Sequence, residues 1–206
     1  MSVGLPSHYQ LRLEHISHEV SRLPPDARGT IVILGDCHVE GNPVKELAGA
    51  HVINMGIKEN ALKSDCAAMK DRLWQMPLAR PGHVVICAGL SDLRAKRSPL
   101  DVEQCYRQLI EGVRMTVPAA KIHIAFLPPT RQPHESLMHE VAVMNAILEE
   151  LATSMNVEFV DLFSPLEDDD GELDVAFSLD GIHLNETGYE KVNEMLERHL
   201  ISGASY

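Results

Sequence analysis

The chain is poor in aromatic residues: Phe, Tyr and Trp make up 4% of its 206 residues, with a single tryptophan. So few rings leave no evident stacking platform for a base or a sugar. Positive charge is also scarce, 18 Lys and Arg against 30 Asp and Glu, for a net charge of −12. Nucleic acids and anionic lipid surfaces are held by clustered Lys and Arg, so this deficit excludes the usual binders of either. No apolar run approaches the ~20 residues that span a bilayer. In the first thirty residues, Glu14, His15, His18, Glu19 and Arg22 interrupt the apolar positions. No secretory h-region is visible there, and a cytoplasmic location is the expectation. The four cysteines, Cys37, Cys66, Cys87 and Cys105, form no C-x-x-C pair and no zinc spacing. They are expected to be reduced thiols, with Cys66 and Cys87 inert in the core. The acidic run from Glu167 to Glu172 lacks the alternating ligands of a calcium loop and reads as a solvated surface loop. His15 and His18 share a helix face, but no third metal ligand accompanies them.

What the chain does have is a regular alternation of apolar runs and amphipathic segments. Five strands are predicted, at Thr30–Leu34, His51–Asn54, His83–Ala88, Lys121–Leu127 and Val157–Leu162, each bounded by Gly, Pro, Asn or Asp. Helical stripes lie before and between them. Leu11, Leu13, Ile16, Val20 and Leu23 stop at Pro24-Pro25. Leu62, Cys66, Met69 and Leu73 form one face, and Val102, Tyr106, Leu109, Val113 and Val117 another. Leu137, Val141, Met144, Leu148, Leu151 and Met155 make the longest stripe, and a last helix runs from about Glu186 to Leu200. These stripes read as packing faces. Strands alternating with helices imply βαβ units and a mostly parallel sheet covered on both faces. One domain over residues 1–206 is expected, with residues 1–29 as an N-terminal helical extension.

Ligands in such sheets bind beyond the carboxyl ends of the strands, and the chemically suggestive residues fall there. Gly35-Asp36-Cys37-His38 follows the first strand. A thiol at that point, near the start of a helical turn, is a candidate nucleophile; a small buried thiol is the plain alternative. Asp180-Gly181-Ile182-His183 precedes the last helix. Three-residue spacing lets the carboxylate fold back onto the imidazole, fix its tautomer and leave the other nitrogen as base. A capping Asp with an unrelated His is the alternative there. Asn54-Met55-Gly56 and Gly89-Leu90-Ser91-Asp92 end the second and third strands. The Gly56 N–H and the Ser91 side chain are candidate oxyanion donors.

In this order, the four segments resemble the SGNH (GDSL-type) hydrolases over about Thr30 to Leu200. Gly35-Asp36-Cys37 matches the block whose serine is the family's nucleophile, and Gly56 the block whose glycine N–H lines the oxyanion hole. Gly89-Leu90-Ser91-Asp92 matches the block normally written Gly-x-Asn-Asp, and Asp180 and His183 match the last. The resemblance implies a flavodoxin-like three-layer α/β/α sandwich with a five-stranded parallel sheet ordered 2-1-3-4-5. It implies hydrolysis of esters or thioesters without metal or cofactor, on a small acyl substrate. Cysteine replaces the family's serine and Ser91 its asparagine, so the implied mechanism is an acyl-enzyme on Cys37. His183 would be its base and Asp180 the orienter, with an oxyanion hole of the Cys37 and Gly56 N–H groups and Ser91. Asp36, His38 and Arg94 are candidate substrate contacts, with His38 at the pocket mouth and Arg94, Lys96 and Arg97 as a basic edge. An acyltransferase using the same cysteine, and a non-catalytic binding descendant, are the rival readings.

Overall fold

The computed structural model describes residues 7–58, 68–131, 136–161 and 164–202. In chain order the elements are α1 (His8–Ser21), β1 (Thr30–Gly35), α2 (Cys37–Glu40), β2 (Glu46–Leu47) and β3 (Ala50–Gly56). A 3₁₀ segment (Lys70–Gln75) and α3 (Met76–Ala79) follow, then β4 (Pro81–Cys87), α4 (Leu90–Arg94) and α5 (Pro99–Thr116). The chain continues through β5 (Lys121–Ala125), α6 (Ser136–Met155) and β6 (Glu158–Val160), and after a 3₁₀ turn (Ser164–Leu166) ends in α7 (Glu186–Ser202). Leu62 and Cys66 of the second predicted stripe, and Leu162 at the end of the fifth predicted strand, lie outside the described residues.

The six strands form one sheet ordered β2-β3-β1-β4-β5-β6. The five predicted strands are its parallel members, in the implied order. The sixth, β2, is a correction to the five-stranded expectation: its two residues pair antiparallel with β3 at the edge. So short a strand carries no alternation from which a sequence could reveal it.

Strand residues alternate between two apolar layers, as the pleat requires. Val32, Leu34, Ile53, Val84, Ile86 and Ile124 face one layer with Ile16 and Val20 of α1, Leu109 and Val113 of α5, and Met144 and Leu148 of α6. Ile31, Ile33, Val85, Cys87 and Val160 face the other, beneath Val192, Leu196 and Leu200 of α7. Each such burial stabilises the fold by about 1.5–3 kcal/mol. The starts of α1 and α5 are fixed by side chains. Ser7 caps α1 through a capping box with Gln10, and Ser98 caps α5 just ahead of Pro99. Among the described residues no helix is long and apolar enough to cross a membrane.

Two arginines, one of them buried, tie off the carboxyl ends of β1 and β3, next to the first candidate segment. Arg72, 0% exposed, donates from Nη1 to the Gly35 carbonyl at 2.8 Å and the Met55 carbonyl at 2.5 Å. Arg12 of α1 donates to the carbonyls of Gly56 and Asn54 at 3.1 and 3.0 Å. Carbonyls left over at a sheet end are thereby satisfied by charge-assisted bonds.

Candidate active site

The Asp36 side chain caps α2 by accepting the His38 N–H at 3.0 Å. Cys37 is therefore the first residue of that short helix, where backbone N–H groups lack intrahelical partners. The helix is tied to the sheet by Asn54, whose amide donates to the carbonyls of Val39 (2.6 Å) and Asn42 (2.9 Å).

Across the cleft, Asp180 organises the loop before α7. Its Oδ1 accepts the N–H groups of Ile182 (3.0 Å) and His183 (2.7 Å), and its Oδ2 lies 2.7 Å from His183 Nδ1. Gly181 sits at φ +82°, a conformation that strains any side chain. Ser178 accepts the Gly181 N–H at 3.0 Å and donates to the His183 carbonyl at 2.7 Å. Partial burial works against the Asp180 carboxylate, but the His183 ring and these backbone donors hold it well below the usual carboxylate range. With Nδ1 directed at Asp180, His183 turns Nε2 toward Cys37 Sγ, 3.9 Å away. The acidic run also serves this loop. Arg131 pairs with Asp168 and Glu172, donates to the Leu173 carbonyl at 2.7 Å and gives its N–H to the Gly181 carbonyl at 2.8 Å. The run is a surface loop, with Asp169 and Asp170 exposed, while its Asp168 and Glu172 hold Arg131 in place.

His38 is a second imidazole on the thiol, and its place differs from the expected pocket mouth. It is 6% exposed, donates from Nε2 to the Ile182 carbonyl at 2.9 Å, and turns Nδ1 to Cys37 Sγ at 3.7 Å. Its ring stacks on His183 with centroids 5.6 Å apart. Burial disfavours its charged form, yet hydrogen bonds and charge from Asp36 and Cys37 raise its pKa well above the ordinary imidazole value. Nothing in the sequence around His38 signals this, since its partner carbonyl lies 144 residues away.

Other expected contacts are rearranged. Ser91 Oγ does face Cys37 Sγ, at 3.9 Å. The Gly56 N–H instead donates to Asn54 Oδ1 at 2.9 Å, so in this structure it is not a free oxyanion donor. Glycine is required there because α2 passes close: a Cβ would lie 2.1 Å from the Glu40 nitrogen. Asp36 is 2% exposed and committed to its cap, which corrects its reading as a substrate contact. Arg97 pairs with buried Asp92 at 3.0 Å, so it braces α4 rather than forming a basic edge. Arg94 is exposed on α4. Cys87 and Cys105 are buried, and burial pushes the Cys87 thiol up, which keeps it protonated and inert. Among the described residues, two groups of side chains bring possible metal donors within 4.8 Å: Asp36, Cys37 and His38 here, and His123, Glu158 and His199 at the other end of the strands.

A cysteine facing an Asp-oriented histidine at the carboxyl edge of a flavodoxin-like sheet has the layout of an acyl-transferring hydrolase. Residues 38–191 match the GDSL-like Lipase/Acylhydrolase family, and the chain belongs to that family, whose members are esterases and acylhydrolases acting on ester bonds. The matched segment starts one residue after Cys37. Comparison with curated proteins gives no match. Among solved structures, a GDSL-like lipase from Bacteroides thetaiotaomicron superposes with a TM-score of 0.74 at 16% identity, covering 93% of this chain and 98% of that one. A lipase/acylhydrolase from Enterococcus faecalis gives 0.68 at 18% identity, over 84% of this chain and 95% of that one. A catalytic mutant of an acetylxylan esterase from Geobacillus stearothermophilus gives 0.64 at 16%, over 84% and 95%. At such identities the likeness is one of fold.

Proposed function

We propose that the chain hydrolyses a carboxylic ester or thioester through an acyl group carried on Cys37. The observation that carries this reading is the line Cys37 Sγ, His183 Nε2, His183 Nδ1, Asp180 Oδ2, with separations of 3.9 and 2.7 Å at its two contacts. His183 takes the thiol proton as Sγ attacks the acyl carbonyl. A C–S bond forms and the carbonyl pair moves onto oxygen. The tetrahedral adduct collapses with loss of the alcohol or thiol, which leaves with the proton from His183. Water, deprotonated by the same imidazole, then attacks the thioester, and the sulfur leaves to be reprotonated. His38, held on the Ile182 carbonyl, offers its charged form to the thiolate.

Activated acyl groups, thioesters first among them, suit this site. The Gly56 N–H is engaged, which leaves the Cys37 N–H and the short Ser91 side chain as oxyanion donors. Losing one such donor typically costs about 10²–10³ in rate, and a thioester demands less of the hole than an alkyl ester does.

The test is the rate on a short p-nitrophenyl ester and a short acyl thioester for the native chain, Cys37→Ser and Cys37→Ala. Turnover that the alanine variant loses, with the thioester favoured, supports the reading. Activity in the serine variant alone marks a hydrolase frame with an unused thiol. Three rates equal to the uncatalysed one overturn it in favour of a binding role. Diversion of product to an added alcohol makes the chain an acyltransferase.

A further inference from the structure

The two ends of the parallel sheet carry different chemistry. Beyond its carboxyl edge lie Cys37 and His183. Toward the amino ends of β4, β5 and β6, the face covered by α7 carries His83, His123 and Glu158, with His123 opposite Val85 on one side and Glu158 on the other. His199, in the last turns of α7, descends onto them. Three strands and the final helix thus converge on one cluster of imidazoles and a carboxylate, remote from the nucleophile.

The donor atoms form a nearly regular triangle. His123 Nδ1 lies 3.1 Å from His199 Nε2 and 3.5 Å from Glu158 Oε2, and the last two are 3.2 Å apart. A tetrahedral ion with bonds of about 2.0–2.1 Å to nitrogen and oxygen holds its ligands about 3.3 Å apart. The triangle therefore already has the edge of that tetrahedron. The second shell is in place too. His83 Nδ1 stands 2.9 Å from His123 Nε2. With His123 Nδ1 facing the ion, its Nε2–H donates to His83, the outer-shell bond that fixes the tautomer of a metal-ligating histidine. The His123 side chain is 1% exposed and that of Glu158 43%, so the site is closed on the strand side and open toward solvent past the carboxylate.

We infer that His123, His199 and Glu158 bind a divalent transition ion of the zinc type, with water in the fourth position and His83 as the outer-shell partner. Two neutral imidazoles and one carboxylate are a borderline-soft set, matched to zinc rather than to calcium or magnesium. The ion would fasten α7 to β5 and β6. The site does not depend on Cys37 or on the reaction proposed above. Lys121, which neighbours His83 and His123 closely enough to act on both electrostatically, opposes a cation and sets the binding below that of a four-ligand structural zinc site.

The test is zinc binding to the full chain by indicator competition, together with the visible spectrum after cobalt(II) addition and the thermal midpoint with and without zinc. It is run on the native protein, Cys37→Ala, Glu158→Gln and His199→Ala; the last two replace partly exposed side chains and are chosen over buried His123 so that folding is retained. One equivalent of zinc bound by both the native protein and Cys37→Ala, a tetrahedral cobalt spectrum and a raised midpoint are expected. At least tenfold weaker binding is expected in Glu158→Gln and His199→Ala. Binding that survives in those two variants, or that disappears with Cys37→Ala, overturns the inference. So does a chain on which zinc changes neither the midpoint nor the indicator; a proton shared by His199 and Glu158 then closes the triangle.

Discussion

Gly56→Ala separates two accounts of one residue. In the first, Gly56 serves through its N–H as an oxyanion donor. In the second, it serves through its missing side chain, which lets α2 lie against the end of β3. Alanine keeps the N–H, so the first account predicts little change. The structure predicts a large one. The new Cβ would stand 2.1 Å from the Glu40 nitrogen, 2.6 Å from the Val39 carbonyl carbon and 2.7 Å from the Glu40 Cα. These are backbone atoms with no rotamer to give way, and ordinary contact begins near 3.4 Å. The helix must therefore move by roughly 1 Å, against the Asn54 bonds to Val39 and Asn42. Overpacking of this kind costs about 1–3 kcal/mol, which for a chain of this size lowers the thermal midpoint by roughly 2–12 °C. The same movement carries Cys37 away from a histidine that is already 3.9 Å distant, and a displacement of about 1 Å can cost about 10²-fold in turnover. Thermal unfolding followed by circular dichroism, with kcat and KM on the better substrate, measures both. A variant with native midpoint and native kcat would refute the close-packing account. That same pair of native values is what the donor account predicts, since alanine keeps the N–H.

Asp180→Asn leaves the loop's shape largely intact but removes the carboxylate that fixes the His183 tautomer, and kcat should fall by up to about 10⁴ with KM little changed; steady-state kinetics decide it, and retained kcat counts against the orienting role. His38→Gln tests the buried imidazole by stability against pH. The folded pKa of His38 is raised, so its contribution is full below the unfolded value of about 6.5 and is lost as pH rises through the higher folded value. Urea unfolding at about pH 6 and about pH 10 should show the native chain's advantage over the variant shrinking at the alkaline end, and a pH-independent difference would mean that His38 holds no extra proton.

The strands were legible because Ile31–Leu34 and Val84–Ile86 are continuous apolar runs, the mark of strands buried on both faces. Their order in the sheet was not contained in periodicity; it came from the resemblance carried by four short segments. The Asp180–His183 contact could be anticipated because three-residue spacing in a tight loop leaves few alternatives. His38 could not, since its burial depends on how the turn after β1 tucks its ring beneath a carbonyl far along the chain. Gly56 was read as a donor because a sequence does not say which N–H groups are already engaged, and Asn54, two residues earlier, occupies this one. Arg97 looked free for the same reason, its partner Asp92 being a buried side chain that α4 brings within reach.

The contact between Cys37 and His183 joins residues 146 positions apart. Everything that brings them together, from the pairing of β1 with β3 and β4 to the seating of α7, is long-range structure that forms slowly against loop-closure entropy. During refolding Cys37 and His183 are therefore expected to meet among the last events. On the proposed mechanism, recovery of activity would report completion of the fold, whereas recovery of helical signal would not, and a chain arrested short of that stage presents Cys37 without His183 beside it.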